Sequence, residues 1–121
     1  MPEKVEVLED LGIILITSFG VVTDEDLGQS RKQVSTICRD RGLTKILVDA
    51  TGLTSAIPII DAFEHAAILS KDDIFKKAKH AIVASEPVQR GLQFIETAAF
   101  NRGAKLRVFT SREEALDWLK D

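Results

Sequence analysis

Cys38 is the only cysteine in the 121 residues, so no disulfide can form within the chain and no thiolate metal cluster can be built. No apolar run approaches the length that spans a bilayer, and Met1-Pro2-Glu3-Lys4 lacks the apolar stretch of a signal peptide. A reducing cytoplasm is therefore the expected compartment. Basic side chains are not in excess: 16 Lys and Arg face 19 Asp and Glu, for a net charge of -3, so the electrostatic footprint of a nucleic-acid binder is missing. Gly20, Gly28 and Gly42 are scattered and match neither the dinucleotide nor the Walker spacing, which argues against nucleotide binding by either route. The two histidines, His65 and His80, fall in different elements and form no His-x-x-x-His pair. No metal or cofactor is expected from them, and each reads as a surface or strand-edge histidine.

What is present is ordinary globular material. Hydrophobic residues make up 45% and charged residues 29%, which argues against disorder, and the length suits one domain over residues 1–121 with one core. The apolar pattern alternates between two periods. Val5 to Glu9 reads as a strand, Leu11-Gly12 as a turn, and Ile13 to Phe19 as a β-branched, more buried strand, so the first two strands form an antiparallel hairpin. Thr23 with Asp26 resembles a capping box, and Leu27, Val34, Ile37 and Cys38 recur at helical spacing up to about Arg41, with Gly42 as the stop.

Lys45 to Ala50 is the next strand, followed by a helix from about Pro58 to Ser70. His80 to Ser85 forms a fourth strand, Pro87 opens a helix that ends at Gly103, and Lys105 to Thr110 is the last strand. Ser111 with Glu114 makes a second capping box before a final helix carrying Trp118 and Leu119. The pattern predicts an α/β fold with four helices and a mostly parallel five-stranded sheet carrying one antiparallel edge strand.

Candidate chemistry is sparse. Asp49 ends a buried strand at the carboxyl edge of the sheet, where α/β proteins tend to bind ligands, but its carboxylate is also placed to accept N–H groups of the turn at Thr51 and Gly52. No second acidic residue stands at a spacing that would pair with it for acid–base work. Cys38 lies on the apolar stripe of its helix and reads as a small buried hydrophobe. Ser85 and Glu86 read as caps of the helix that begins near Pro87.

Apolar residues exceed what one core face needs. Beside the stripe Ile59, Ala62, Phe63 and Ala66, the side chains Ile60, Ala67 and Ile68 lie off it; in the next helix Phe100 points away from the inner face and Phe94 sits at its edge. Ile74-Phe75 is flanked by Lys71, Lys76, Lys77 and Lys79, a pattern that either rests peripherally on the anionic inner membrane surface or tucks the apolar pair under the connection. Both faces of Ile13 to Ile16 and of Ile46 to Val48 are apolar. Helices on both sides, a homodimer partner or a lipophilic ligand would cover the second face, and a C2 dimer is the preferred reading.

The hairpin, the helix after Thr23, the strand ending Leu47-Val48-Asp49, the stretch Gly91 to Gly103 and the closing Val108-Phe109-Thr110-Ser111-Arg112-Glu113-Glu114-Ala115-Leu116-Asp117-Trp118-Leu119 together resemble the SpoIIAA-like proteins, small relatives of the STAS domain. The resemblance runs over nearly the whole chain and implies a βα superhelix with a non-enzymatic role. STAS domains of the anti-sigma-factor-antagonist type bind a kinase and are switched by phosphorylation in an Asp-Ser-Ser-Gly motif just beyond the strand that matches Lys45 to Ala50. Here that stretch reads Thr51-Gly52-Leu53-Thr54-Ser55-Ala56-Ile57-Pro58. Thr51, Thr54 and Ser55 are hydroxyls in the neighbourhood, but none matches the acceptor position, so no phosphoserine switch is expected. The same branch is also compared with CRAL-TRIO lipid-binding domains.

The leading expectation is a homodimeric, non-enzymatic binding module acting through protein contacts. Its alternative is a carrier or sensor of a lipid or other small apolar ligand. A small enzyme using Asp49 or a histidine comes third. The surface expected to meet a partner or ligand comprises Asp49, Thr51, Ile60, Ile68, Ile74, Phe75, Phe94 and Phe100.

Overall fold

The computed structural model describes residues 3–54, 64, 67, 68, 71, 73–101, 103 and 105–120, with the side chains at 87, 90, 91, 94, 95, 98 and 99 left aside. The chain begins as a hairpin of β1 (Glu3–Leu8) and β2 (Ile13–Gly20). The hairpin turns at Gly12, whose φ of 64 suits only glycine without strain and whose N–H donates to the Leu8 carbonyl. Helix α1 (Asp24–Arg41), strand β3 (Lys45–Leu53), a single helical turn α2 (Asp73–Lys77), strand β4 (Lys79–Val83), helix α3 (Glu86–Asn101), strand β5 (Lys105–Phe109) and helix α4 (Arg112–Lys120) follow.

The strands lie in the order β1-β2-β3-β4-β5. β1 pairs antiparallel with β2, and the other neighbours are parallel, as the alternation of periods predicts. Three described helices exceed two turns. The expected four are not confirmed: the helix predicted over residues 58–70 falls almost wholly outside the described residues, and α2 was not anticipated. β1 begins at Glu3, two residues earlier than its apolar pattern suggests, and the register pairs Glu3 with Ser18.

Local signals set the helix ends. Thr23 and Asp26 exchange both bonds of a capping box, and the Thr23 backbone and hydroxyl hold the Asp26 carboxyl below its usual range. Gly42 closes α1 in the left-handed conformation, its N–H donating to the Cys38 carbonyl. At α4, the Glu114 N–H donates to Ser111 Oγ.

Each sheet face has its own apolar layer. Ile14, Ile46, Leu106 and Val108 meet Val34 and Cys38 of α1, Phe75 of α2, and Val88 and Leu92 of α3. On the opposite face Ile13, Leu15, Leu47, Ala81 and Val83 meet Ala115 and Leu119 of α4. Helices on both sides therefore cover the double-faced strands. Burying a side chain such as Ile14 or Leu47 stabilises the fold by about 1.5–3 kcal/mol.

The last turn of α4 is held from the sheet. Lys79 Nζ donates to the Trp118 carbonyl at 3.2 Å and lies 5.0 Å from the Trp118 ring centre, while Lys45 Nζ reaches the Lys120 carbonyl at 3.5 Å. Both ammonium groups complement the negative end of the helix dipole. At the outer strand, the Val108 N–H donates to Glu96 Oε2 of α3 at 2.8 Å.

Candidate functional site

Two places in the fold gather polar chemistry. The first is the carboxyl edge of β3. Asp49 Oδ1 accepts the Thr51 N–H at 3.0 Å and the Thr51 hydroxyl at 2.6 Å, the geometry of an Asx turn. Its other oxygen lies 3.6 Å from Arg112 of α4. Beyond the turn, the Thr54 N–H donates to the Gly20 carbonyl, so the end of β3 is fastened to the end of β2. Thr51 and Thr54 are exposed there, whereas Ser55 lies outside the described residues. Phe19 and Val21 stand exposed on the adjoining β2–α1 segment, a feature the strand pattern did not flag.

The second place is a partly open cavity of about 90 Å³ between the sheet and the helical layer containing α1. Its sheet side is built by Ile16, Ile46, Val48, Ala50 and Ile82, because alternate residues of a strand share one face. Helix α1 contributes Leu27, Ser30, Arg31 and Val34, and α2 contributes Phe75. Two polar groups line it in an unusual state. Glu3 is 9% exposed; its Oε2 accepts the Ser18 hydroxyl at 2.5 Å, while its buried Oε1 has no hydrogen-bond partner. His80 is 6% exposed, and neither ring nitrogen is hydrogen-bonded. Burial, which penalises the cation, lowers the His80 pKa to about 4; the backbones of Lys105 and Ala78 favour the charged form only partly, without hydrogen-bond geometry.

This corrects the reading of His80 as a surface or strand-edge histidine. β4 is flanked by β3 and β5, and the His80 ring packs 5.8 Å from that of Phe75. Phe75 is itself buried at the cavity wall, and Ile74 is half-buried against the same core. The pair is thus tucked inward rather than presented to a membrane. Ile68 and Phe100 are exposed and away from the cavity lining. Ile60 and His65 lie outside the described residues, as does the Phe94 side chain.

Glu3 and Ser18 escaped sequence reading, although a signal existed. Glu3, Val5 and Val7 share one face of β1, as Ile14, Ile16 and Ser18 do on β2, so both polar residues continue core-facing rows. Among the described residues no three metal-ligating side chains cluster, and no helix is long and apolar enough to cross a membrane.

A mixed five-stranded sheet with one antiparallel edge and helices on both faces makes this a small α/β domain. The chain belongs to the SpoIIAA-like family, whose model matches residues 13–120. Among solved structures it is similar to an uncharacterised protein from the DUF3478 family with a SpoIIAA-like fold, from Shewanella loihica PV-4. The two share 22% identity over 97% of this chain and 91% of that chain, with a TM-score of 0.64, which is a likeness of fold. None of the curated proteins matches the sequence significantly.

Proposed function

We propose that this chain is a non-enzymatic binding module that holds a small apolar ligand between α1 and the sheet. The cavity carries this reading: its wall is almost wholly aliphatic and aromatic, with a few buried polar groups, the usual make-up of a small-molecule site. Family membership supports a binding role over catalysis. So does the engagement of Asp49, whose two oxygens are taken up by Thr51 and Arg112. The reading predicts that toluene shifts the amide resonances of Ile16, Val48 and Ile82, and that Ala50→Leu, which narrows the cavity, suppresses those shifts. Wild-type protein that ignores toluene at millimolar concentration would remove the ligand reading.

A second reading, protein contact at the carboxyl edge, is favoured by Phe19 and Val21, 45% and 61% exposed beside Thr51 and Thr54. Under it the edge serves as a docking surface without a phosphoserine switch, and a second copy of the chain is the partner. Light scattering behind size exclusion would then show a dimer that Val21→Glu converts to monomer. A monomer at high concentration for the unaltered chain rejects it.

A further inference from the structure

The fold treats its two outer strands differently. At β5 the Val108 N–H is already taken by Glu96 Oε2. At the other margin β1 pairs with β2 alone, and among the described residues no side chain bonds to its backbone. The outward N–H and C=O groups of such a strand are a template for one more strand.

The side chains of β1 narrow what that strand can be. Lys4 and Glu6 lie two residues apart on one face, with Val5 between them on the face that packs against α1. Across the hairpin their neighbours are uncharged: Lys4 stands beside Thr17 and Glu6 beside Leu15. Among the described residues neither joins an ion pair, and α4, the helix on their face, lies over β3, β4 and β5. A lone lysine on an edge discourages an added strand. A glutamate two residues on makes this edge complementary to itself.

Symmetry then selects the register. Two copies of one strand that pair antiparallel about a two-fold axis must centre on a residue that faces itself. A centre between two residues would make a hydrogen-bonded pair equivalent to a non-hydrogen-bonded one, which the ladder forbids. Centring on Lys4 sets lysine against lysine, and centring on Glu6 sets glutamate against glutamate; both are disfavoured. Centring on Val7 puts each Glu6 against Leu8 and forms no charge pair within the strands. Centring on Val5 sets each Lys4 opposite the Glu6 of the other copy, twice over, and brings a half-buried valine to the axis from both sides.

We propose that β1 is the docking surface for a second copy of this chain. The two β1 strands pair antiparallel across a two-fold axis at Val5, and the two five-stranded sheets become one continuous sheet. This interface involves neither the cavity nor the surface around Phe19 and Val21, so it stands apart from both readings above.

Light scattering behind size exclusion should show the unaltered chain as a dimer at millimolar concentration, and a monomer there overturns the proposal. Lys4→Glu and Glu6→Lys should each weaken the dimer about tenfold or more, since each turns two attractive pairs into two repulsive ones. Mixed in equal amounts, the two variants should form a heterodimer, because every charge again faces its opposite; this also shows that both are folded. A mixture that stays monomeric overturns the Val5 register and the proposal with it. Val21→Glu should leave this dimer intact. If Val21→Glu dissociates it while Lys4→Glu and Glu6→Lys do not, the dimer belongs to the carboxyl edge and the β1 interface is overturned. In the unaltered protein, hydrogen exchange at the outward amides of β1 should slow as concentration rises. Exchange there that ignores concentration overturns the proposal without recourse to any variant.

Discussion

Asp49 and Arg112, 3.6 Å apart, join the carboxyl end of β3 to the first turn of α4, while Lys45 at the start of the same strand reaches the Lys120 carbonyl at the end of the same helix. Four strand steps and eight helical steps each cover about 12–13 Å, so strand and helix match in length and are tied at both ends. The expectation that Asp49 serves its own turn is half the story, for the carboxylate also seats α4.

Replacing Asp49 with Ala should accordingly cost about 1–2 kcal/mol, mostly through the Thr51 bonds. A double-mutant cycle between Asp49 and the half-exposed Arg112 should give a coupling below about 1 kcal/mol, since solvent screens that pair. Urea unfolding of the four proteins measures both quantities. A coupling well above that value would mean the ion pair, and not the turn, is the main role of Asp49.

Leu119→Ala should cost about 2–5 kcal/mol, because the side chain is fully buried and α4 is the helix in contact with Leu47 and Ala81 on that sheet face. Loss of the tilted Phe109–Trp118 ring contact should appear in Trp118 fluorescence along the same unfolding curve. A cost under 1 kcal/mol would show that the second face does not depend on α4.

His80 makes the fold sensitive to acid. Its folded pKa is about 4, below the ordinary 6.5, so the unfolded chain takes up the proton first as pH falls. Stability is therefore flat above pH 6.5 and declines from there to pH 4, by about 3 kcal/mol in all from this group. His80→Leu should flatten the pH 4–6.5 part of a thermal-denaturation series. An unchanged slope would show that other groups set it.

Gly52→Ala should destabilise by about 1–3 kcal/mol. A Cβ there would sit 3.1 Å from the Ser18 carbonyl oxygen and 3.2 Å from Phe19 Cβ, where the β2–β3 register shifts between Thr17 and Phe19. The cost should show as a lower melting temperature, and no change would mean the bulge relaxes freely.

The sheet was legible from sequence because Ile13 to Phe19 and Lys45 to Ala50 carry unambiguous β-branched or aliphatic runs, and Gly12 and Gly42 mark obligatory turns. The cavity was not. Glu3 sits before the first apolar residue of β1, so a strand started at Val5 leaves it out. His80 opens its strand after four nearby lysines, which lends it a surface look; its burial comes from β3 and β5 on either side and from Phe75 above it. Such facts depend on how layers stack, which no single run of residues encodes.

The contact between Glu96 and the Val108 N–H bears on assembly. β5 is an outer strand, and its outward donors are what an incoming strand would seize first. Here one of them is already occupied by a carboxylate that would also repel an acidic newcomer. Sheet-to-sheet extension across β5 must first evict Glu96, so this margin of the sheet is guarded against an added strand.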